Sequence, residues 1–421
     1  MSQQFKIPYG NSYQTLEIPS GLTVSQRGTK TDKEHQALDI EKKIEESDLI
    51  NFLSDSDNLL IIINDHTRFT PSGEILGCLK GYLKKINKIE LLIATGTHRA
   101  STDSELKGLL GPVYNDLTPV ARSNDCLDKD KHYLAGTISS GIPIYLDKSV
   151  DQFDNILVIG SVEPHFFAGF TGGRKGIFPG VALKDSIIAN HVKAIDRDVQ
   201  PLELDNPLHR DMDEVMDILH DKNIYSIQTV HNHNRSVVGL FTGDLRGSFN
   251  RAVKLAQNIY TKTVEEQFDI VIALVSPPLD IDLYQIQKSF ENTKFAVKPG
   301  GVCILVSECR EGVGPDDWLK LSSKYGSSNE VLNHAQDAQI FGFHKLYRPA
   351  RFMERSRIFV VSDVEDYYVK SVFLTPKKNI QSAVDDAVKL SPPDPSILIV
   401  YDAGQNVIQV NSKKDLPYKS S

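Results

Sequence analysis

The chain alternates between short apolar runs and polar loops rich in Gly, His, Asp or Thr. Continuous runs of aliphatic and β-branched residues are typical of strands that are buried on both faces, as in parallel sheets. Helix-like stretches lie between the runs, for example around residues 74–86, which favours β-α units. The pattern therefore predicts an α/β fold with mainly parallel, Rossmann-like sheets. The predicted strands lie at 59–63, 89–94, 155–160, 269–275, 302–307, 357–363 and 396–404.

The predicted strands divide into two domains. The amphipathic segment after Asn250 is predicted to form a helix that ends near Gln267, and we place the boundary there. This gives an N-terminal α/β domain at 1–267 and a smaller C-terminal α/β domain at 268–421. The segment 7–21 alternates differently and predicts a small antiparallel hairpin. Because ligands bind beyond the carboxyl ends of parallel strands, we expect the active site at the cleft between the domains.

Composition and charge narrow the class of protein. The 421 residues carry a formal net charge of −8 with both signs mixed along the chain, so a nucleic-acid-binding surface is not expected. No apolar run approaches the roughly 20 residues that span a membrane, and the N-terminus lacks the features of a signal peptide. Four cysteines without CxxC spacing are expected to be buried free thiols: Cys78, Cys126, Cys303 and Cys309. We therefore expect a cytoplasmic protein without nucleic-acid or membrane partners.

The segment EPHFFAGFTGGRKGIFPG at 163–180 has the most unusual composition of any stretch of the chain. Gly172 and Gly173 permit close backbone approach to a ligand and leave amide N–H groups for an anion. A P-loop needs Gly-Lys followed by Ser or Thr, whereas Lys175 lies between Arg174 and a glycine. Two interpretations stay open: a glycine-rich turn with solvated basic residues, or a lysine that attaches a ligand covalently.

Four histidines lie in or near the predicted strand-end loops: His66, His98, His165 and His191. None belongs to an HxxxH pair, so a zinc site made only of protein ligands is not expected. Histidines on separate loops suit two bases that approach one substrate carbon from different sides. For each of them the alternative is a satisfied or solvated side chain.

Two further loops could bind an anionic substrate. Asp65 could orient a hydroxyl or a ribose, and Arg68 could bind a carboxylate or phosphate through two hydrogen bonds. An Asx-turn with a surface arginine is the alternative. Gln285 and Lys288 would share one face of a helix and could hold a hydroxyl and a carboxylate. A solvated helix surface is the alternative there.

In their order along the chain, these motifs resemble those of the nickel-dependent lactate racemase family. The resemblance is close over about residues 60–300, and elsewhere it is limited to length and strand pattern. The segment at 163–180 is highly specific for this family, whereas the short motif DHTR alone would not identify it. The matching motifs are DHTR at 65–68, GTHR at 96–99, the segment at 163–180, NHVKAI at 190–195 and YQIQK at 284–288.

The resemblance implies a cofactor site in the N-terminal domain. Lys175 would carry a nickel-pincer nucleotide, a pyridinium mononucleotide with two sulfur-containing substituents, through a covalent thioamide link. His191 would supply the fourth nickel ligand beside the S, C and S donors of the nucleotide. Asp65 and the turn at Gly172 and Gly173 would contact the cofactor. Accessory proteins would make and load this group.

The resemblance also implies a site for a small 2-hydroxyacid. His98 and His165 would be the two acid/base residues. An aromatic residue of the C-terminal segment is expected near the site, and Tyr347 is a candidate for it. Arg68 and Lys288 would bind the carboxylate, Gln285 would assist, and Tyr284 would shape the side-chain pocket.

The implied reaction avoids a chemical difficulty. The C2 proton of a 2-hydroxyacid is barely acidic because the adjacent carboxylate is already charged, so a histidine of ordinary basicity could not remove it unaided. Removal of the C2 hydrogen as hydride avoids the carbanion, provided that an electrophile accepts it. We expect His98 or His165 to take the hydroxyl proton, and the resulting 2-keto acid to be reduced on its other face.

Other functions stay open at this stage. The substrate could be lactate, malate, phenyllactate or a sugar acid such as gluconate. A non-catalytic nucleotide-binding protein is an alternative of another class, and a nicotinamide-dependent dehydrogenase is weaker because no GxGxxG motif is present. A homo-oligomer is an open alternative to a monomer.

Overall fold

The computed structural model of the chain describes residues 2–28, 35–196, 199–277 and 279–411. The strands within these ranges are β1 (Ser2–Tyr9), β2 (Ser12–Pro19), β3 (Val24–Arg27), β4 (Asn58–Asn64), β5 (Lys88–Ala94), β6 (Ala121–Ser123), β7 (His132–Thr137), β8 (Pro143–Asp147), β9 (Asn155–Ser161), β10 (Pro164–His165), β11 (Gly169–Phe170), β12 (Asn223–His231), β13 (Val237–Asp244), β14 (Thr261–Val264), β15 (Phe268–Leu274), β16 (Val297–Val306), β17 (Arg357–Val361), β18 (Thr375–Lys377), β19 (Ile397–Val400) and β20 (Val407–Val410).

Helices separate most of these strands. They are α1 (Ile40–Glu45), α2 (Leu49–Ser54), α3 (Ser72–Leu83), α4 (Asp103–Leu110), α5 (Tyr114–Leu117), α6 (Lys148–Gln152), α7 (Lys184–His191), α8 (Pro207–Ile218), α9 (Leu245–Tyr260), α10 (Leu283–Thr293), α11 (Asp316–Ser322), α12 (Ser328–Asn333), α13 (His344–Met353), α14 (Asp366–Ser371) and α15 (Ile380–Leu390). Among the described residues, no helix has both the length and the apolar character needed to cross a membrane.

The first large sheet has the strand order β13-β12-β9-β4-β5-β6. All neighbours in it are parallel except the edge pair β12 and β13, which is antiparallel. The order reverses beside β4, because the chain continues from β4 to β5 and β6 on one side, while β9 and β12 lie on the other. Such a reversal leaves a crevice at the carboxyl ends of the two strands where it occurs, here β4 and β9.

The second large sheet has the order β18-β17-β16-β15-β19-β3, and every pair in it is parallel. Its order reverses beside β15, since β16 to β18 lie on one side and β19 on the other. The edge strand β3 comes from the other end of the chain, and the β1–β2 hairpin packs Ile7, Leu16 and Ile18 against this sheet. The second crevice therefore lies at the ends of β15 and β19.

The sequence-based expectations for the fold are mostly confirmed. Each of the seven predicted strands forms one of the parallel strands β4, β5, β9, β15, β16, β17 and β19, and the N-terminal hairpin is present. Their side chains are buried because both faces of each sheet are covered, by helices and, in the second sheet, also by the β1–β2 hairpin. The cysteines are free thiols, although Cys78 is only half-buried.

One helix end was predicted wrongly. Helix α9 ends at Tyr260, not near Gln267, and Thr261–Val264 forms β14, which pairs in parallel with β20. The β-branched residues of the sequence TKTV favour a strand over a helical continuation. The predicted division into 1–267 and 268–421 stays a prediction, and β3 shows that the second sheet also takes a strand from residues before 28.

The first large sheet and its helices are called the first lobe, and the second large sheet and its helices the second lobe. Arg348 of α13 connects these two lobes. Its guanidinium donates to both carboxylate oxygens of Glu291 at 2.7 and 2.6 Å, and to the carbonyl oxygens of Ala194 and Val199 at 2.7 and 3.0 Å. Arg348 is only 8% exposed. A buried guanidinium with these partners fixes the segment after α7 against the helices of the second lobe.

The substitution Arg348→Met is expected to lower the free energy of unfolding by about 3 kcal/mol, because it leaves a buried carboxylate with fewer partners. Urea denaturation followed by circular dichroism measures the change. The matched control is Lys320→Met, whose ammonium pairs with Asp317 at 3.5 Å on the surface and should not shift the unfolding midpoint measurably. Equal stability of the two variants would show that the Arg348 contacts do not hold the lobes together.

Candidate active site

A cavity of about 320 Å³ lies where the two crevices face each other. The loops after β4, β5, β9, β15 and β19 all contribute to its lining. The sheets therefore place the ends of five parallel strands, from two different sheets, around one space. This is the arrangement that parallel α/β sheets use to bind ligands.

Nearly all of the residues singled out in the sequence line this cavity. They are Asp65, Arg68, His98, His165, Gly172, Lys175, His191, Tyr284, Gln285 and Lys288. Gly173 is not among the lining residues. Its N–H donates to Gln228 Oε1 at 2.8 Å, so this amide has a protein partner instead of being left for an anion. A Cβ on Gly173 would lie 2.6 Å from the Phe249 ring, which explains the need for glycine there.

Lys175 is held by a short 3₁₀ turn, Gly173–Gly176, that follows β11. Gly172 and Gly173 both have positive φ, at 81° and 55°, and this backbone path turns Lys175 into the cavity. Burial, together with the positive charges of Arg68 and Lys288, lowers the pKa of Lys175 to about 7. A large fraction of the amine is therefore neutral and nucleophilic near pH 7.

His191 ends helix α7 and faces the same part of the cavity as Lys175. The Phe167 ring is near both groups, with its centroid 5.1 Å from that of the His191 ring and 5.6 Å from Lys175 Nζ. Burial, aided by the charge of Lys175, lowers the pKa of His191 to about 3. The imidazole is thus neutral near pH 7, which is the form that binds a metal.

His98 lies in the loop after β5 and lines the cavity, with its side chain 51% exposed. Its Nδ1 is 2.7 Å from Asp65 Oδ2, at the end of the neighbouring strand β4. Asp65 is buried, and the Thr67 hydroxyl donates to its other carboxylate oxygen at 2.6 Å. Although burial raises the pKa of Asp65, the bonds from His98 and Thr67 outweigh it and lower this pKa overall.

His165 lies deeper, in the small β10–β11 hairpin, and is 9% exposed. The Phe166 and Phe167 rings contact it with centroids 5.1 and 4.5 Å away, and the Ala168 N–H donates to its Nδ1 at 3.2 Å. Burial lowers its pKa well below the ordinary value, and the charges of Lys175, Arg68 and Lys288 act in the same direction. His165 is therefore a neutral imidazole near pH 7.

Helix α10 carries the candidate carboxylate-binding group of the second lobe. It begins after Asp282, whose carboxylate accepts from the Gln285 N–H at 2.6 Å, as an N-cap does. Gln285 and Lys288 lie one turn apart and both face the cavity. Burial and the nearby charge of Arg68 lower the pKa of Lys288 to about 8. An anion between Arg68 and Lys288 would relieve the repulsion between these two cations.

Sequence reasoning missed three lining residues at the start of α13 and just before it. His344 packs against Phe166 with centroids 5.8 Å apart, and Lys345 Nζ lies 4.2 Å from the centroid of the same ring. Phe341 is the aromatic residue of this segment that lines the cavity. These residues follow no strand end and no glycine-rich loop, so no pattern in the sequence places them at the site.

Two aromatic residues of the C-terminal segment, the candidate Tyr347 and Trp318, lie outside the cavity lining. Tyr347 packs beside Phe343, with ring centroids 5.8 Å apart, and is not among the lining residues. Trp318 is buried and contacts Tyr284 edge-on, at 5.3 Å between centroids. Trp318 therefore supports a residue that lines the cavity without reaching the cavity itself.

Some basic residues of the candidate loops are used in the scaffold. Arg174 is buried on the far side of its turn, where it contacts His209 Nδ1 at 2.9 Å and Asp213 at 3.2 Å. His66 Nε2 lies 3.2 Å from Glu105 of α4, which also pairs with Arg99 at 2.7 Å, so Glu105 connects the loops after β4 and β5. Neither residue supplies a free cation to the site.

No three His, Cys, Asp or Glu side chains converge in a metal-binding arrangement within the described part of the chain. A metal beside His191 would therefore need donors from a bound organic group. The residues present fit such a group: one neutral imidazole to bind the metal, one half-neutral amine to attach the group, and several cations to face its phosphate.

Comparison with known families assigns both lobes. The family model described as the lactate racemase N-terminal domain matches residues 9–201, and the one described as the lactate racemase C-terminal domain matches residues 261–409. The lactate racemase of Thermoanaerobacterium thermosaccharolyticum is 29% identical over 96% of this chain and 98% of its own length. The lactate racemase of Lactiplantibacillus plantarum is 28% identical over 86% of this chain and 88% of its own.

Solved structures share the fold. The lactate racemase apoprotein from Thermoanaerobacterium thermosaccharolyticum superposes with a TM-score of 0.86 at 27% identity, covering 97% of this chain and 100% of that one. A protein from Thermotoga maritima superposes with a TM-score of 0.69 at 16% identity, covering 88% and 97%. At that identity the second match shows the fold alone.

Lys175 is expected to react with an amine-directed acylating reagent at a rate that rises with pH around a midpoint near 7, because only the neutral amine attacks. An exposed lysine, with a pKa of about 10.4, would react slowly at that pH. The measurement is peptide mapping by mass spectrometry, over a pH series, of protein whose intact mass matches the unmodified chain. Lys175→Arg assigns the signal, and a midpoint above about 9 for Lys175 would contradict the burial argument.

Proposed function

The chain belongs to the lactate racemase family, and on that premise we propose that it is a lactate racemase, an isomerase that interconverts the D and L forms of this 2-hydroxyacid. The observation that carries the proposal is that Lys175, His191, His98 and His165 reach one cavity from separate strand ends. A protein that only bound a nucleotide would not need two further histidines opposite the attachment lysine.

We propose that Lys175 binds a nickel-pincer nucleotide covalently and that His191 is the protein ligand of its nickel. The support is the low pKa of both groups and their common contact with Phe167. When bound, this group supplies an electrophile that can accept the C2 hydrogen of the substrate as hydride. Accessory proteins that build and load the group are part of the same proposal, as is a cytoplasmic location.

The carboxylate of the substrate would lie between Arg68 and Lys288. These cations come from different lobes, and an anion bound between them would offset their mutual repulsion, which Glu163 offsets only in part through its 3.3 Å contact with Arg68. Gln285 lies one turn from Lys288 and can donate to the same carboxylate or to the hydroxyl. Binding in this way orients C2 toward the region between Lys175 and the two histidines, which removes most of the rotational freedom of a small acid.

His98 and His165 would handle the hydroxyl proton. One histidine accepts this proton as C2 becomes a carbonyl carbon. After the 2-keto acid has turned so that its other face can be reduced, a histidine returns a proton to the oxygen. Phe166 and Phe167 exclude water beside His165, so the keto acid is kept in a dry part of the cavity.

One observation favours a second substrate class. Lys345 is an additional cation in the lining, with Nζ 3.2 Å from the carbonyl oxygen of Tyr284. A 2-hydroxy diacid such as malate would have a second carboxylate to place near it. Racemisation of malate is therefore the alternative to racemisation of lactate.

The assay is chiral chromatography of D- and L-lactate, malate, phenyllactate and gluconate, incubated with protein co-produced with the cofactor-making enzymes and nickel. Wild-type protein is expected to racemise lactate, and Lys175→Ala is expected to lose the activity entirely because it removes the attachment point. Protein shown by intact mass to carry the cofactor but inactive on all four compounds would contradict the proposal.

The path of the C2 hydrogen is tested with lactate deuterated at C2. Because the hydrogen leaves as hydride and not as a proton, deuterium is expected to stay on C2 of both enantiomers during many turnovers in ordinary water. Mass spectrometry of the separated enantiomers measures the label. Complete loss of deuterium to solvent at the rate of racemisation would show proton abstraction instead.

A further inference from the structure

The two histidines of the site are held by opposite kinds of partner. A neutral imidazole carries one N–H and one lone pair, and the partner of one nitrogen decides which role the other nitrogen has. His98 contacts a carboxylate and His165 contacts a backbone amide. Neither partner can exchange donor and acceptor roles, so the geometry determines both tautomers.

Asp65 determines the tautomer of His98. The carboxylate can only accept, and its lowered pKa keeps it ionised, so the proton of His98 lies on Nδ1. Asp65 is itself fixed, since the Thr67 hydroxyl and N–H both donate to its other oxygen, at 2.6 and 3.2 Å. His98 Nε2 is left with a lone pair and has no protein partner among the described residues.

The backbone N–H of Ala168 determines the tautomer of His165. The backbone N–H can only donate, so His165 Nδ1 carries the lone pair and Nε2 carries the proton. Rotation of the ring is opposed by Phe166, which stacks on it, and by Phe167, which meets it edge-on. Protonation of Nδ1 would bring two N–H groups together, and the cations around the ring oppose an imidazolium as well.

We propose that Asp65 and the Ala168 amide set the two histidines in opposite tautomers, so that His98 presents a proton acceptor and His165 presents a hydrogen-bond donor to the same substrate. The consequence for turnover rests on the proposed racemase function. Asp65 is then a positioning residue for His98, in addition to any contact with a cofactor. Before turnover, the substrate therefore has a proton acceptor at His98 and a hydrogen-bond donor at His165.

The substrate hydroxyl that faces His98 can transfer its proton at once. Its O–H bond breaks, an N–H bond forms at Nε2, and the imidazolium is balanced by the Asp65 carboxylate, while C2 loses its hydrogen with the electron pair as proposed above. A hydroxyl that faces His165 meets an N–H instead. Proton transfer there first requires His165 to move its proton from Nε2 to Nδ1 and to lose the Ala168 hydrogen bond.

The direct test is ¹⁵N NMR of protein labelled in histidine and prepared without cofactor, with the signals assigned by His98→Asn and His165→Asn. We expect a protonated Nδ1 in His98 and a protonated Nε2 in His165 at neutral pH. The same tautomer in both, or a protonated Nε2 in His98, would overturn the inference. This readout needs neither substrate nor cofactor.

The role of Asp65 is tested with Asp65→Asn. In the NMR experiment the His98 tautomer is expected to become mixed, because an amide can donate as well as accept. In the loaded protein kcat is expected to fall by about 10²–10⁴-fold, as for other histidines that lose their orienting carboxylate. The matched control is Glu105→Gln, which weakens the contacts of Glu105 with His66, at 3.2 Å, and with Arg99, at 2.7 Å, but removes neither partner of the hydrogen bond between His98 and Asp65.

The positioning role of Asp65 and the proposed racemase function would be contradicted by different results. Loss of kcat in Asp65→Asn with an unchanged His98 tautomer, or an equal loss in Glu105→Gln, would mean that Asp65 acts through loop structure or through a cofactor contact and not through the orientation of His98, and this overturns the positioning role. Loaded wild-type protein that racemises no 2-hydroxyacid would overturn the proposed function, and the NMR result would still decide the tautomers.

Discussion

The structure depends on one constraint: parallel strands must be joined by crossovers, so their carboxyl ends and the loops that follow them collect at one edge of each sheet. In both large sheets the strand order reverses beside a central strand, β4 in one and β15 in the other. Each reversal opens a crevice, and the lobes place the two crevices against each other around one cavity. The side chains that these loops bring to the cavity determine what the protein can bind and what chemistry it can perform.

Positive charge determines the chemistry of the cavity. Arg68, Lys175, Lys288 and Lys345 all line it, and burial lowers the pKa of the three lysines to about 7 or 8. Water solvates these cations poorly there, so an anionic ligand would be bound strongly. The same environment keeps His165 and His191 neutral, which leaves one available as a hydrogen-bonding group and the other as a metal ligand. Attachment of an anionic cofactor through Lys175 would remove one of the charges that repel each other.

The strands and the loops that carry the site could be predicted from the sequence because continuous apolar runs and glycine-rich segments have local causes. The edge strand β3 could not, since the sequence VSQR contains no apolar run and joins its sheet only through pairing with β19. His344 and Lys345 were missed for a similar reason, because helix α13 reaches the cavity through tertiary packing. The amide of Gly173 was expected to be free, but Gln228 of β12, a buried polar residue on a strand without a clear pattern, accepts its hydrogen bond.

If the proposed function is right, the cavity holds an organic group attached to Lys175 and bound to a metal through His191. The most direct measurement combines intact mass, peptide mapping and nickel analysis of protein co-produced with cofactor-making enzymes, for the wild type and for His191→Ala. We expect a mass increase located on Lys175 in both proteins, with about one nickel per chain in the wild type and nickel lost from the variant. A modification on another residue, or nickel bound equally by both proteins, would contradict it.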